Sequence, residues 1–110
     1  MRTFMLAATA AAALAAAASP AAAIDTIDCH ADRNIAERTI CSSNRLQVLD
    51  ARVTEAYSDI MLDSGVKSSI KHAIYVSQLE FLRSRDACGR DARCLADVME
   101  RRVDRITFYR

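Results

Sequence analysis

The sequence is poor in the residues that make turns and in aromatic residues. It has two Gly and one Pro among 110 residues, no Trp, and three each of Phe and Tyr. A β-sandwich or barrel needs a turn signal about every eight to twelve residues, so this composition argues against both. With few aromatic side chains, Leu, Ile, Val and Ala must fill the core.

Net charge is also nearly absent, because 15 Lys and Arg stand against 14 Asp and Glu. That balance argues against a generally basic nucleic-acid-binding protein, and no nucleic-acid partner is expected. The charges are nevertheless unevenly placed. Residues 24–63 carry eight acidic and four basic side chains, whereas residues 83–110 carry five acidic and eight basic ones.

The first 23 residues have the pattern of a secretory signal peptide. A short basic start that includes Arg2 precedes an uncharged apolar run over residues 4–18, and three Ala at 21–23 provide a small-residue cleavage site. The alternative, a membrane anchor, would need about 20 strongly apolar residues, and 13 of these 23 residues are Ala. Ile27-Asp28 before Cys29 does not fit a lipid-attachment site. We therefore expect cleavage after Ala23, no stable membrane anchor, and one exported periplasmic or secreted domain over residues 24–110.

Periodic apolar residues predict helices in the mature chain. One apolar face runs from Leu46 to Met61 and a second from Val66 to Leu82, and a third stripe runs from Leu95 to Ile106. Asn44 is expected to cap the first of these long helices, with Gln47 completing a capping box. Cys88-Gly89 should end the second, and Asp91 should cap the third. A shorter helix is expected over residues 31–39, so the predicted fold class is all-α, a small disulfide-stapled antiparallel bundle of three long helices plus a short N-terminal helix.

All four cysteines, Cys29, Cys41, Cys88 and Cys94, lie in the mature chain. An even number in an exported domain favours disulfides, and the spacings do not match the two to four residues typical of zinc ligands. No metal and no cofactor are therefore expected. If the first two long helices form a hairpin about Ser64-Gly65, Cys41 and Cys88 face each other, which favours Cys41–Cys88 with Cys29–Cys94. The rival pairing, Cys29–Cys41 with Cys88–Cys94, requires the first helix to be broken, because a continuous helix would separate Cys29 and Cys41 by about 18 Å.

One pattern runs through the chain from Asp28 to Ile106. It comprises Asp28-Cys29, Glu37, Ile40-Cys41, Leu46, Leu49-Asp50, Tyr57, the stretch from Gln78 to Cys88, Cys94-Leu95 and Arg102. This pattern resembles that of the LprI-type lysozyme inhibitor family of exported bacterial proteins. Phe81 and Met99 stand where the family usually has Trp and Tyr. The resemblance implies a protein that binds and occludes lysozyme and so protects peptidoglycan.

Four arginines surround the Cys88–Cys94 turn and are the candidate partner-binding residues. They are Arg83, Arg85, Arg90 and Arg93. The cleft of lysozyme holds two catalytic carboxylates, with which guanidinium groups can pair bidentately. A solvated rim is the simpler interpretation of the same arginines.

Three further polar residues, Asp50, Gln78 and Arg85, are interpreted as a structural network at one end of the bundle, with partner contact as the alternative. Tyr57 lies on the apolar stripe and is expected in the core, with its hydroxyl at an edge. Neither His30 nor His72 has a recognisable nucleophile or orienting carboxylate beside it. We therefore expect a binding protein rather than an enzyme: a lysozyme inhibitor, or alternatively a periplasmic structural or adaptor bundle with another protein partner.

Overall fold

The computed structural model describes residues 26–31 and 33–109, and within these ranges it is all-helical. The helices are α1 (Ile35–Cys41), α2 (Asn44–Met61), α3 (Ser68–Ala87) and α4 (Ala92–Thr107). The predicted fold class, a small disulfide-stapled helical bundle with three long helices and one short one, is confirmed. The predicted signal peptide, residues 1–23, lies outside the described residues.

Side-chain caps fix the starts of three helices. Asn34 and Glu37 form a reciprocal capping box at α1, and the Asp91 carboxylate accepts the Cys94 N–H at 3.1 Å at α4, as expected. Beyond the end of α3, Gly89 has a φ of 56°, the left-handed conformation that favours glycine. Gly89 thereby turns the chain from α3 towards α4.

Two helix starts differ from expectation. The short helix begins at Ile35 rather than at residue 31, because residues 28–31 form a turn in which the Ala31 N–H donates to the Asp28 carbonyl. Ser43, not Asn44, caps α2, since its hydroxyl accepts the Leu46 N–H at 3.3 Å. Gln47 bonds instead to the Cys41 carbonyl.

The three long helices form an up-down-up arrangement. Arg102 on α4 reaches the Gln78 side chain and the Ile74 carbonyl on α3, and a short turn joins these two helices. Arg45 in the first turn of α2 pairs with Glu100 at the middle of α4, and Tyr57 and Ile106, further along both helices, share a core cluster. Helices α2 and α4 therefore run parallel, with α3 antiparallel to both.

The core has two clusters along the bundle. The larger one joins α1 to the other helices and contains Ala36, Ile40, Leu46, Leu49, Val53, Phe81, Leu95, Ala96 and Met99. The smaller one contains Ala56, Tyr57, Ile60, Ile74 and Ile106. Aliphatic residues dominate both clusters, which agrees with the small number of aromatic residues. Among the described residues, no helix is long and apolar enough to cross a membrane.

The disulfide pairing favoured from the sequence, Cys41–Cys88 with Cys29–Cys94, is wrong. The bridges are Cys29–Cys41, with Cα atoms 5.7 Å apart, and Cys88–Cys94, with Cα atoms 5.6 Å apart. The rival pairing becomes possible because the described residues between Cys29 and Ile35 are not helical, so that Cys29 lies beside Cys41 at the end of α1. Two bridges in one small domain indicate an oxidising compartment.

Candidate functional site

Both disulfides lie at the same end of the bundle. We call this the disulfide end: α1, the α1–α2 junction and the turn between α3 and α4. The Cys29–Cys41 bridge fixes the segment before α1, and the Cys88–Cys94 bridge closes the turn that carries Arg90. Side chains at this end therefore project from backbone that two disulfides hold in place.

The four predicted partner-binding arginines do not share one environment. Arg83, Arg90 and Arg93 are exposed, whereas Arg85 is buried. Both Nε and an amino group of Arg85 donate to one carboxylate oxygen of Asp86, at 3.0 and 2.9 Å. A Glu37 oxygen lies 3.7 Å away. The charge of Arg85 is thus paired within the protein, and its buried side chain is not available to a partner.

Arg90 and Arg93 open onto neighbouring surface grooves of the disulfide end. The groove at Arg90 has a volume of about 320 Å³ and is shared with Ile35, Arg38, Thr39 and Ser42 of α1 and its C-cap. Arg93 lines a groove of about 420 Å³ beside Ser43 and Arg45. Neither Arg90 nor Arg93 forms an ion pair with any residue in the described part of the chain. Their guanidinium groups are thus free to pair with a carboxylate of another molecule.

Arg38 is a member of this surface that the sequence did not single out. It is exposed on α1 and lines the same groove as Arg90, together with the half-exposed Ile35. Recognising it requires knowing that α1 packs beside the Cys88–Cys94 turn, which the wrongly favoured disulfide pairing obscured.

The three residues interpreted as a polar network are all buried, but they divide between two places. Asp50 accepts the Ile27 N–H at 3.2 Å, and it lies close enough to Arg85 and Glu37 to feel both charges. Gln78 accepts instead from Nε of Arg102, at 3.0 Å. The structure therefore brings Asp50 and Arg85 together and places Gln78 with a different arginine.

Burial raises the pKa of Asp50 above its ordinary value. The Ile27 N–H and the Arg85 charge act in the opposite direction without reversing the shift, and the Glu37 charge adds to it. The carboxylate is thus held in a place that favours its protonated form, while one backbone N–H ties the N-terminal segment to α2 through it.

Arg102 is a buried cation on the apolar face of α4. It is 5% exposed, with its guanidinium carbon 5.9 Å from the centre of the Phe81 ring. Its acceptors are uncharged: the Gln78 amide oxygen and, at 3.4 Å, the Ile74 carbonyl. The signal in the sequence is positional, because Arg102 interrupts an apolar stripe that Met99 and Ile106 continue.

Tyr57 lies in the core, but its hydroxyl is not at an edge as expected. The side chain is fully buried, and its hydroxyl has no hydrogen-bond partner among the described residues. Burial raises the pKa of Tyr57. The hydroxyl therefore remains an unsatisfied polar group within the smaller core cluster.

The two histidines are exposed and lie on different elements, His30 before α1 and His72 on α3. The His30 N–H donates to the Asp28 carboxylate at 2.9 Å, and His72 lies on the outer side of α3. In the described ranges, no group of three or more His, Cys, Asp or Glu side chains is placed to hold a metal ion.

The opposite end of the bundle presents a second kind of surface. Leu62, Phe108 and Tyr109 are exposed there, with Leu62 and Phe108 at 75% and 87%. Leu62 and Tyr109 line a groove of about 560 Å³ together with Asp59 and Asp63. The groove at this end is acidic and apolar, whereas the grooves at Arg90 and Arg93 are basic.

Comparison with known proteins found no relative: no family model, no curated protein and no solved structure matches the chain.

Proposed function

We propose that this chain is an exported protein that binds and occludes lysozyme, with the arginines of its disulfide end entering the acidic cleft of the enzyme. The observation that carries the proposal is the pair of exposed arginines, Arg90 and Arg93, which have no ion-pair partner in the described part of the chain. The resemblance of residues 28–106 to LprI-type inhibitors supplies the target.

The chemistry of the disulfide end suits such a contact. Guanidinium groups form short, bidentate hydrogen bonds with carboxylates, and the cleft of a glycosidase carries two catalytic carboxylates. Ile35 and Thr39 beside Arg38 and Arg90 add apolar and polar contact area. Arginine with neighbouring apolar side chains is typical of the residues that dominate protein interfaces.

The disulfide-held backbone also favours binding. The Cys88–Cys94 disulfide and the Asp91 side-chain cap hold the turn between α3 and α4 before any partner arrives. A surface that is already ordered loses less conformational entropy when it binds.

The test measures lysis of bacterial cell walls by lysozyme with added oxidised protein, together with binding kinetics. Arg90→Ala and Arg93→Ala should each weaken binding by about 2 kcal/mol if the residue is a buried contact, roughly 30-fold in Kd. Arg52→Ala, an exposed arginine in the middle of α2, is the matched control and should bind like wild type. Unchanged thermal unfolding of all three variants would show that the fold is intact.

Two outcomes oppose this proposal in different ways. If the wild-type protein does not inhibit lysozyme, the target is wrong. If Arg90 and Arg93 variants bind normally while Asp59→Asn and Asp63→Asn speed dissociation, the contact lies at the opposite end of the bundle. Loss of acidic charge that alters only the association rate and its salt dependence is expected of long-range steering.

The alternative function is a periplasmic structural or adaptor bundle, and the opposite end supports it. Leu62, Phe108 and Tyr109 form a group of exposed apolar side chains at this end. Such a group, unlike a single exposed apolar residue, is typical of an interaction surface. Replacing Leu62 and Phe108 by Ser should leave lysozyme inhibition unchanged under the inhibitor proposal. Under the adaptor proposal the same variant loses its partner, while the Arg90 and Arg93 variants keep it.

A further inference from the structure

Helices α3 and α4 enclose a groove in which three arginines meet. It has a volume of about 250 Å³, and its lining includes Arg101, Arg102 and Arg105 from α4 and Ser77, Glu80 and Phe81 from α3. Three guanidinium groups against the Glu80 carboxylate leave a local charge of two positive units. This groove is separate from the grooves at Arg90 and Arg93.

The three arginines have no carboxylate partner in the described part of the chain. Arg102 donates only to an amide oxygen and a backbone carbonyl. Arg101 donates to the Asp97 carbonyl of its own helix at 3.3 Å. Arg105 forms neither a hydrogen bond nor an ion pair with the described residues.

Arg102 is the unusual member, because a buried charge is normally paired with an opposite charge. It is held in a fixed orientation by Gln78, the Ile74 carbonyl and the Phe81 ring. Burial and the neighbouring Arg105 charge both lower the pKa of Arg102. The Glu80 charge acts in the opposite direction without reversing the shift, and the charge of an anion in the groove would counteract burial and the Arg105 charge further.

We propose that the α3–α4 groove binds a small oxyanion, a carboxylate or a phosphate, between Arg102 and Arg105, with Arg101 at the rim. The fixed Arg102 guanidinium provides a preorganised donor, and Arg105 has unused donors. The hydroxyl of Ser77 donates to the Ile74 carbonyl and lines the wall, where it can accept from a protonated ligand. The Glu80 carboxylate repels an anion, so the ligand is expected on the side of the groove away from Glu80. This site does not depend on the proposed binding of lysozyme.

The experiment titrates the oxidised protein with inorganic phosphate and, separately, with succinate, at constant ionic strength maintained with sodium chloride. Backbone amide shifts from nuclear magnetic resonance report the site. We expect saturable shifts centred on Ser77, Phe81 and Arg102. Saturation by phosphate identifies a tetrahedral anion as the ligand class, and saturation by succinate identifies a carboxylate; either result supports the site.

Three charge variants separate a site from general electrostatics. Arg105→Gln should weaken Kd at least fivefold, and Glu80→Gln should tighten it at least twofold. Arg52→Gln makes the same change of charge as Arg105→Gln, on α2 outside the groove lining, and should leave Kd unchanged. All three positions are exposed, so thermal unfolding should remain close to wild type.

The proposal is overturned if neither anion gives saturable shifts. It is also overturned if Arg52→Gln weakens binding as much as Arg105→Gln, because the response would then be non-specific charge screening. If Glu80→Gln and Arg105→Gln both leave Kd unchanged, Arg102 serves only to join α3 to α4.

Discussion

At the scale of single residues, the core contains polar groups whose costs can be measured. Tyr57 buries a hydroxyl that has no hydrogen-bond partner in the described part of the chain, and Asp50 buries a carboxyl whose pKa is raised. Both lie on α2. Each leads to a prediction with a definite sign.

Tyr57→Phe should stabilise the protein. The substitution removes an unsatisfied buried hydroxyl and keeps the ring that fills the smaller cluster. An unpaired buried polar group costs about 1–3 kcal/mol, so a gain of about 1 kcal/mol is expected. Urea unfolding measures the change, with Tyr75→Phe, a half-buried tyrosine on α3, as the control. A loss of stability in Tyr57→Phe alone would mean that the hydroxyl has a partner.

Asp50 should make the protein less stable as pH rises through its raised pKa. The folded state holds the Asp50 proton more tightly than the unfolded chain, so this contribution is fully present below the unfolded pKa, about 3.9, and is lost above the folded pKa. Asp50→Asn keeps an oxygen that can accept the Ile27 N–H and removes the titration. The stability of wild type relative to Asp50→Asn should therefore fall between pH 3 and pH 7.

Denaturant unfolding of the two proteins at several pH values gives this difference directly. Asp97→Asn, at an exposed position on α4, controls for the loss of one negative charge. If wild type instead gains stability over Asp50→Asn as pH rises, the pairing of Asp50 with Arg85 outweighs the cost of burial.

At the scale of helices, local signals in the sequence predicted most of the structure. The apolar stripes located α2, α3 and α4 because a bundle buries one face of each helix. The Asp91 cap and the Gly89 turn followed from residue type. The start of α1 was predicted four residues too early because the turn at Asp28 was not recognised, although Asn34 and Glu37 have the spacing of the capping box that starts this helix.

The site was less predictable than the fold because it depends on contacts between helices. Arg85 and Arg90 are both arginines near the same turn, yet one is buried against Glu37 and the other is exposed. That difference arises from the packing of α1, which sequence periodicity does not specify. The place of Arg102 in an apolar stripe was a signal that the sequence analysis did not use, and its pairing with Gln78 needed the register between α3 and α4.

At the scale of the whole molecule, both disulfides are local, and the long-range connections are left to packing. The bridges span 12 and 6 residues of sequence separation. In the chain-entropy model, loops of these lengths contribute about 3 and about 2 kcal/mol, less than the about 4 kcal/mol of the Cys41–Cys88 bridge first favoured. The bundle therefore relies on its two core clusters to hold the helices together, while the bridges brace the disulfide end.

Removing the bridges one at a time tests this division. Cys29→Ser with Cys41→Ser should cost about 3 kcal/mol, and Cys88→Ser with Cys94→Ser about 2 kcal/mol, with the helical content of both variants retained because neither bridge joins the long helices across the core. Urea unfolding gives the free energies, and circular dichroism gives the helix content. Non-reducing tryptic digestion of wild type should yield 39–45 linked to a peptide ending at Arg33, and 86–90 linked to 94–101. A linked pair of 39–45 and 86–90 would instead establish a long-range bridge. It would overturn both the pairing and the view that no disulfide connects distant parts of the chain.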